Sequence, residues 1–375
     1  MRKGAVVLVA TAAAAALALA ACSSSKKGTT GSSSPGAGGG SGSSSASGSA
    51  SGKPQVGVIL PDTTTSNRYT LYDAPLLKKA FDAAGVPSTI QNAHGSSSTF
   101  VADAQAMITQ GVKVLLIDPA DPQTGISVEK SAQAAGVQVI DYDRVNLGGS
   151  ASYYVSFDNV KVGELQAQGL LNCPGIGSKP NIIELNGGTD IDNNAVLFKQ
   201  GAHNIWSQKG IKPKVETDVK GWDNTVAATD FQQAYTQDPS VQGVLAANDG
   251  IAAAAISTLK QHHQQIPVTG QDATIQGIQF ILTGDQCLTI FKDVSKEADA
   301  ASKLAIDIIH GDKAAADALA TGSLHDPQNG RTIKSVLLVP EVITKSNIQD
   351  VIKAGALTKA DICKGIQAAC TKAGL

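Results

Sequence analysis

The chain is poor in aromatics and evenly balanced in charge. Phe, Trp and Tyr together make up 4% of its 375 residues, and Trp206 and Trp222 are its only tryptophans. A formal net charge of −2, with 17% charged residues, leaves no basic surplus for nucleic acid and no acidic run that would act as a solvating tail. No CxxC occurs and the six histidines are scattered, so neither a structural zinc site nor a nucleophile–base pair can be named. GxSxG is missing. The stretch PGIGSKP has two glycines near phosphate-loop spacing, but Pro180 and a strand follow where such a loop needs a helix. These absences leave an enzyme without a nucleophile and without a cofactor.

The N-terminus carries an address. MRKG is a short basic start, AVVLVATAAAAALALA is an apolar run, and Ala21-Cys22 follows at once. That is a secretory signal ending in small residues. A membrane-spanning anchor is the competing reading, but the run is short and Ala-rich. LALAAC resembles a lipoprotein lipobox, which makes Cys22 the lipidation site and residues 1–22 the signal segment. Residues 23–53, rich in Ser and Gly, cannot bury a core and read as a flexible tether spanning roughly 30 Å. The fold is expected from about Pro54, outside the cytoplasm and lipid-anchored on the outer face of the cell membrane, or periplasmic in a two-membrane host. Cys173, Cys287, Cys363 and Cys370 remain. An even number in an exported chain predicts disulfides. Three pairings exist; the least surprising joins Cys363 to Cys370 locally and Cys173 to Cys287 across the fold.

From residue 55 strands and helices alternate. QVGVIL, PSTIQNA, VKVLLID (112–118) and VQVIDYD (137–143) read as strands, with helical spacing in 69–85, 101–111 and 127–136. The alternation restarts with a helix at 160–171 and strands PNIIELNG, KPKVETD, VQGVLAAND, IPVTGQDA and CLTIFKD. The strands are continuous apolar runs, as in parallel sheets covered on both faces. Two such arrays predict an α/β protein of two doubly wound lobes.

In open α/β sheets ligands bind beyond the carboxyl ends of the strands. Polar residues collect at those ends: Asp143-Arg144, Asn193-Asn194, Asn248-Asp249, Asp272 and Lys292. Asn and Asp there also serve as helix N-caps, but Arg144 and Lys292 do not. Carboxylates that accept beside cations that donate suit a neutral polyol, with charge-assisted bonds of about 1.5–3 kcal/mol each. Tyr69 and Trp222 could offer flat plates to a sugar ring.

From about Gln55 to Asn347 the chain resembles the periplasmic sugar-binding proteins of ABC transporters, their xylose-binding branch in particular. GVKVLLIDP, VIDYDR, YYVSFDNVKVGELQA, DIDNNAVLF, ANDG, GQDA, TIFK and LLVPEVITKSNI carry the resemblance. It implies a type I periplasmic binding fold with a three-segment hinge, its crossings near 157–160, Asp293 and 336–342. Residues 54–158 with 293–336 would form one lobe, and 159–292 with 337–375 the other. The same resemblance assigns sugar contacts to Arg68, Asp143, Arg144, Asp192, Asn193, Asn194, Asn248, Asp272 and Lys292. Tyr69 and Trp222 become its plates, Tyr69 standing where the family has Trp. The expected function is capture of a monosaccharide, D-xylose foremost, and delivery to an ABC permease by a monomeric, lipid-anchored protein. A sensing module with the same fold, or a binder of another pentose or hexose such as ribose, is the alternative. A sugar-responsive repressor would need a cytoplasmic DNA-binding head, and the signal and tether occupy that place.

Overall fold

The computed structural model describes Lys53, residues 55–66 and residues 68–375; the signal, Cys22 and the tether lie outside the described residues. A seven-stranded sheet organises the first half. It is built from β1 (Val56–Leu60), β2 (Ser88–Asn92), β3 (Val114–Ile117), β4 (Gln138–Tyr142) and β5 (Tyr153–Phe157), with β10 (Gly322–His325) and β11 (Thr332–Leu338) arriving late from the chain. The spatial order is β2-β1-β3-β4-β5-β11-β10, all parallel except β10.

Strand residues alternate between two cores, which is why the apolar runs are unbroken. Val58, Leu60, Leu116 and Ile140 meet α1 (Ala74–Ala83) through Leu77 and Phe81, and α9 (Val294–His310) through Ala301 and Leu304. Ile59, Leu115, Ile117 and Val139 turn the other way, onto Phe100 and Met107 of α2 (Ser97–Gln110) and Val128 of α3 (Pro122–Ala134). Each such buried side chain contributes roughly 1.5–3 kcal/mol. A single turn of π-helix, Tyr69–Asp73, leads into α1; such turns recur at functional sites.

The second sheet has the order β7-β6-β8, parallel, from β6 (Ile182–Asn186), β7 (Val215–Asp218) and β8 (Gly243–Ala246). α4 (Asn159–Leu171), α5 (Asn193–Lys209), α6 (Asn224–Gln237), α7 (Asp249–Gln261) and α8 (Ile275–Thr283) surround it. The segment 266–273, read above as a strand, is not one. It forms no continuous ladder, only the isolated bridges Val244–Val268 and Gln271–Ile290, and side chains and loop amides make its other bonds. β9 (Thr289–Phe291) is shorter than its apolar pattern and pairs antiparallel with β12 (Glu341–Ile343). The chain leaves the first sheet after Phe157, returns after Phe291, and leaves again after Leu338.

α4 and α5 cross in direct backbone contact. A Cβ on Gly163 would sit 1.8 Å from the Phe198 carbonyl oxygen, and one on Gly201 would sit 2.0 Å from that of Val160. Both predicted disulfides form, Cys173–Cys287 and Cys363–Cys370.

Candidate functional site

The carboxyl ends of both sheets face one cavity. Arg68, Tyr69, Asp143, Arg144, Asp192, Asn194, Trp222, Asn248, Asp272 and Lys292 all line it. Of the residues singled out above, Asp249 and Asn193 do not; Asn193 occupies the first turn of α5 and is half-buried, while its neighbours Asp192 and Asn194 turn inward. The space between these side chains is half open and measures about 40 Å³. Arg68, Asn248, Asp272 and Lys292 also border an outer depression of about 690 Å³.

Asp143 sits just past the end of β4 in the left-handed backbone region, at φ 59°. Aspartate visits that region more readily than most residues, and backbone held there is a common feature of binding sites. Its amide donates to Val155. Its carboxylate accepts from Arg68 Nη1 at 3.1 Å and Tyr69 Oη at 3.0 Å, with Lys292 Nζ 3.6 Å away. Burial alone would raise its pKa, but Arg68, Lys292 and Arg144 together hold it well below the ordinary carboxylate range. Its carbonyl is bound by Tyr154 Oη and Asn194 Nδ2, and Asn159 Nδ2 bonds the other end of the Asn194 amide.

Arg68 is a hub more than a free donor. Nε and Nη2 grip Asp73 at 2.9 and 2.7 Å, and Nη2 also reaches Glu297 at 2.5 Å. Asp73 further accepts from Tyr142. Burial pushes Glu297 up to about 8, against the pull of Arg68, which two other carboxylates share. The Tyr69 ring is flanked by the guanidiniums of Arg68 and Arg144, at 5.5 and 5.9 Å. With its hydroxyl on Asp143, Tyr69 serves first to hold that carboxylate.

Arg144 points away from its neighbour Asp143. Its Nε lies 3.4 Å from Asp192 and 3.7 Å from Asp118, and its remaining polar contacts, to Pro119 O and Thr65 Oγ1, are long at 3.4 Å. Among the described residues the Asp118 oxygens have no hydrogen-bond partner. Burial raises Asp118 well above its ordinary range, and Arg144 offsets this only in part.

The second sheet supplies its groups through helix starts. Asp192 caps α5, its side chain accepting from Asn194 N, and Asn248 caps α7, accepting from Ile251 N. The cap reading and the site reading therefore hold for the same residues. Asp192 also accepts from Trp222 Nε1 at 3.1 Å, which sets the indole. The indole lies against Gly187 and Gly188: a Cβ on Gly187 would come within 2.1 Å of the ring. Phe198 meets it edge-on at 6.3 Å, and Lys292 Nζ lies over Phe198 and Phe157. Asp272, at φ 100°, donates its amide to Ile290 and accepts from Gln271 Nε2, while nearby Asp249 accepts from Thr274, Gln286 and Thr289. Burial lifts Asp272 and Asp192, with Lys292 and Arg144 respectively pulling back.

Thr65, Ser66, Phe198 and Gln271 also line the cavity and were not singled out from sequence. Asp118 and the Thr65-Ser66 loop follow strands, so the strand-end rule reaches them. Phe198 lies four residues after Asn194 on one helix face. Glu297 and Asp73 carry no such signal.

Comparison with known proteins gives consistent matches. The family model described as a periplasmic binding protein domain matches residues 56–313. The D-xylose-binding periplasmic protein of Escherichia coli is 33% identical over 296 residues, 76% of this chain and 85% of that one. A multiple sugar-binding periplasmic receptor of Rhizobium radiobacter is 32% identical, over 84% of this chain and 94% of its own. Among solved structures, a carbohydrate transporter solute-binding protein from Chloroflexus aurantiacus in complex with D-glucose superposes with a TM-score of 0.74. It is 26% identical, and the match covers 83% of this chain and 98% of that one. Among the described residues no helix is long and apolar enough to cross a membrane.

Proposed function

This chain belongs to the periplasmic binding protein family, among its type I sugar-binding members, and from that premise we propose that it captures one monosaccharide, D-xylose foremost, in the cavity between its two sheets. It is a binder and not an enzyme. The observation that carries the reading is the convergence of donors and acceptors around one small cavity. Arg144 and Lys292 donate; Asp143, Asp192 and Asp272 accept; Asn194 and Asn248 do both; Trp222 and Phe198 form an aromatic wall. A sugar hydroxyl needs both kinds of partner and a ring face needs an apolar plate. The Escherichia coli relative named for D-xylose supports the choice of sugar.

The ligand contacts both halves only when they are closed on it, so binding shifts the equilibrium toward closure. The three crossings noted above would be the hinge, dividing residues 54–158 and 293–336 from 159–292 and 337–375. The closed form would dock on an ABC permease, with the protein held at the membrane by the lipid on Cys22.

Calorimetry of the purified protein against xylose, ribose, arabinose, glucose, galactose and inositol tests this. We expect the tightest binding with xylose. Tighter binding of a hexose would move the assignment to another sugar, and no heat with any of the six would sink the sugar reading.

A further inference from the structure

A second cluster is built on the second sheet from residues that do not line the cavity. Glu184 of β6 and Glu216 of β7 are register partners on adjacent parallel strands. Two carboxylates side by side repel each other. His203 of α5 faces both: its Nε2 lies 3.5 Å from Glu184 Oε1 and 3.2 Å from Glu216 Oε2. The three ligand atoms all fall within 4.8 Å of one another.

Two details point to a missing partner. Glu184 is fully buried, and neither its Oε1 nor His203 Nε2 has a hydrogen-bond partner among the described residues, though neither atom touches solvent. The outward oxygens, by contrast, are already held. Trp206 Nε1 donates to Glu184 Oε2 at 2.6 Å, and Lys199 Nζ contacts Glu216 Oε1 at 2.7 Å. The same lysine contacts Asp218 at 3.0 Å. Each carboxylate is thus fixed by one oxygen and turns the other inward, as outer partners orient metal ligands. Glu216 and Asp218 share that one lysine, and Glu184 has no cationic partner but His203, so the cluster holds more carboxylate than cation, an excess that a divalent ion would balance.

We propose that Glu184, His203 and Glu216 bind one divalent transition-metal ion, pinning α5 to β6 and β7. Ligands about 2.1 Å from a tetrahedral ion stand about 3.4 Å from each other, close to both His203 separations. An imidazole with two carboxylates suits zinc and its neighbours; calcium and magnesium prefer oxygen alone. α5 also carries Asn194 and Phe198 to the cavity, so the ion would brace a site helix from its distal part.

Zinc is the probe. The purified protein, first stripped with a chelator, is titrated with zinc chloride at pH 7.5 in competition with a chromophoric chelator. We expect the native chain to retain one equivalent and the His203→Ala variant to bind it at least about tenfold more weakly. The native thermal midpoint should rise with one equivalent of zinc, and that of His203→Ala should not. His203 is half-exposed, so its loss should leave the fold intact, and Glu216→Gln provides a second variant should that fail. Failure of the native chain to retain zinc overturns the proposal, as does zinc retention that survives both substitutions. Sugar calorimetry on the same samples keeps this result separate from the cavity assignment.

Discussion

The two sides of the cavity are built on different principles. The side facing the seven-stranded sheet is an interlocked set of buried charges, in which Arg68, Asp143, Asp73 and Glu297 hold one another. The side facing the second sheet uses local devices: two N-caps, a pair of glycines under Trp222, and a left-handed turn at Asp272. The first side is preorganised by long-range electrostatics. The second is preorganised by backbone geometry. Damage to the first should therefore spread, whereas damage to the second should stay where it is made.

Arg68→Met gives the largest expected effect. It leaves Asp73 buried without its cation, and breaking such a pair costs about 3–5 kcal/mol. Urea denaturation of variant and parent measures it; a loss below 1 kcal/mol would erase the contrast between the two sides. Asp143→Ala comes next. It frees Arg68, Tyr69 and Lys292 and removes an acceptor from the ligand, so sugar affinity should fall by about 2–5 kcal/mol with the circular dichroism unchanged. Unaltered affinity would show that the charge set supports the fold and not the ligand.

The third prediction concerns pH. Glu297 is raised from an ordinary value near 4.5 to about 8 in the folded chain. The native state therefore holds a proton that the unfolded state has released. Its contribution to stability is complete below pH 4.5 and is lost as pH rises toward 8. Asp143, held low, acts in the opposite sense and only at acid pH, so it stays ionised across this window. The thermal midpoint should fall between pH 5 and pH 8, and Glu297→Gln should flatten that slope. An identical slope in the variant would assign it to other groups, among them Glu184 and Asp249, which burial raises to about 7 and about 6. The smallest effect is expected on the second side: Asn248→Ala removes one cap, worth about 1 kcal/mol of stability. A loss as large as that of Arg68→Met would mean the second side is no less interlocked than the first.

That asymmetry follows how each side is written in the chain. The caps at Asp192 and Asn248 bond two or three residues onward, within reach of a local reading. Asp143, Arg144 and Lys292 follow strand ends and were visible for that reason. Arg68 and Glu297 are 229 positions apart, and no local pattern joins them. The segment 266–273 misled for the reverse reason: its apolar residues suit a strand, but it makes isolated bridges where a strand would make a continuous ladder.

The sequence alone determined the α/β alternation, because burial on both faces demands continuous apolar strands, and it located the ligand edge, because parallel strands share one carboxyl end. It also marked most of the groups on that edge. Tertiary structure decided their partners. It set Asp143 among Arg68, Tyr69 and Lys292, turned Arg144 toward Asp118 and Asp192, and left Asn193 out. It also brought Glu184, Glu216 and His203 together from two strands and a helix. Hydrogen bonds and ion pairs act over about 3 Å, and only the folded chain sets which side chains lie that close.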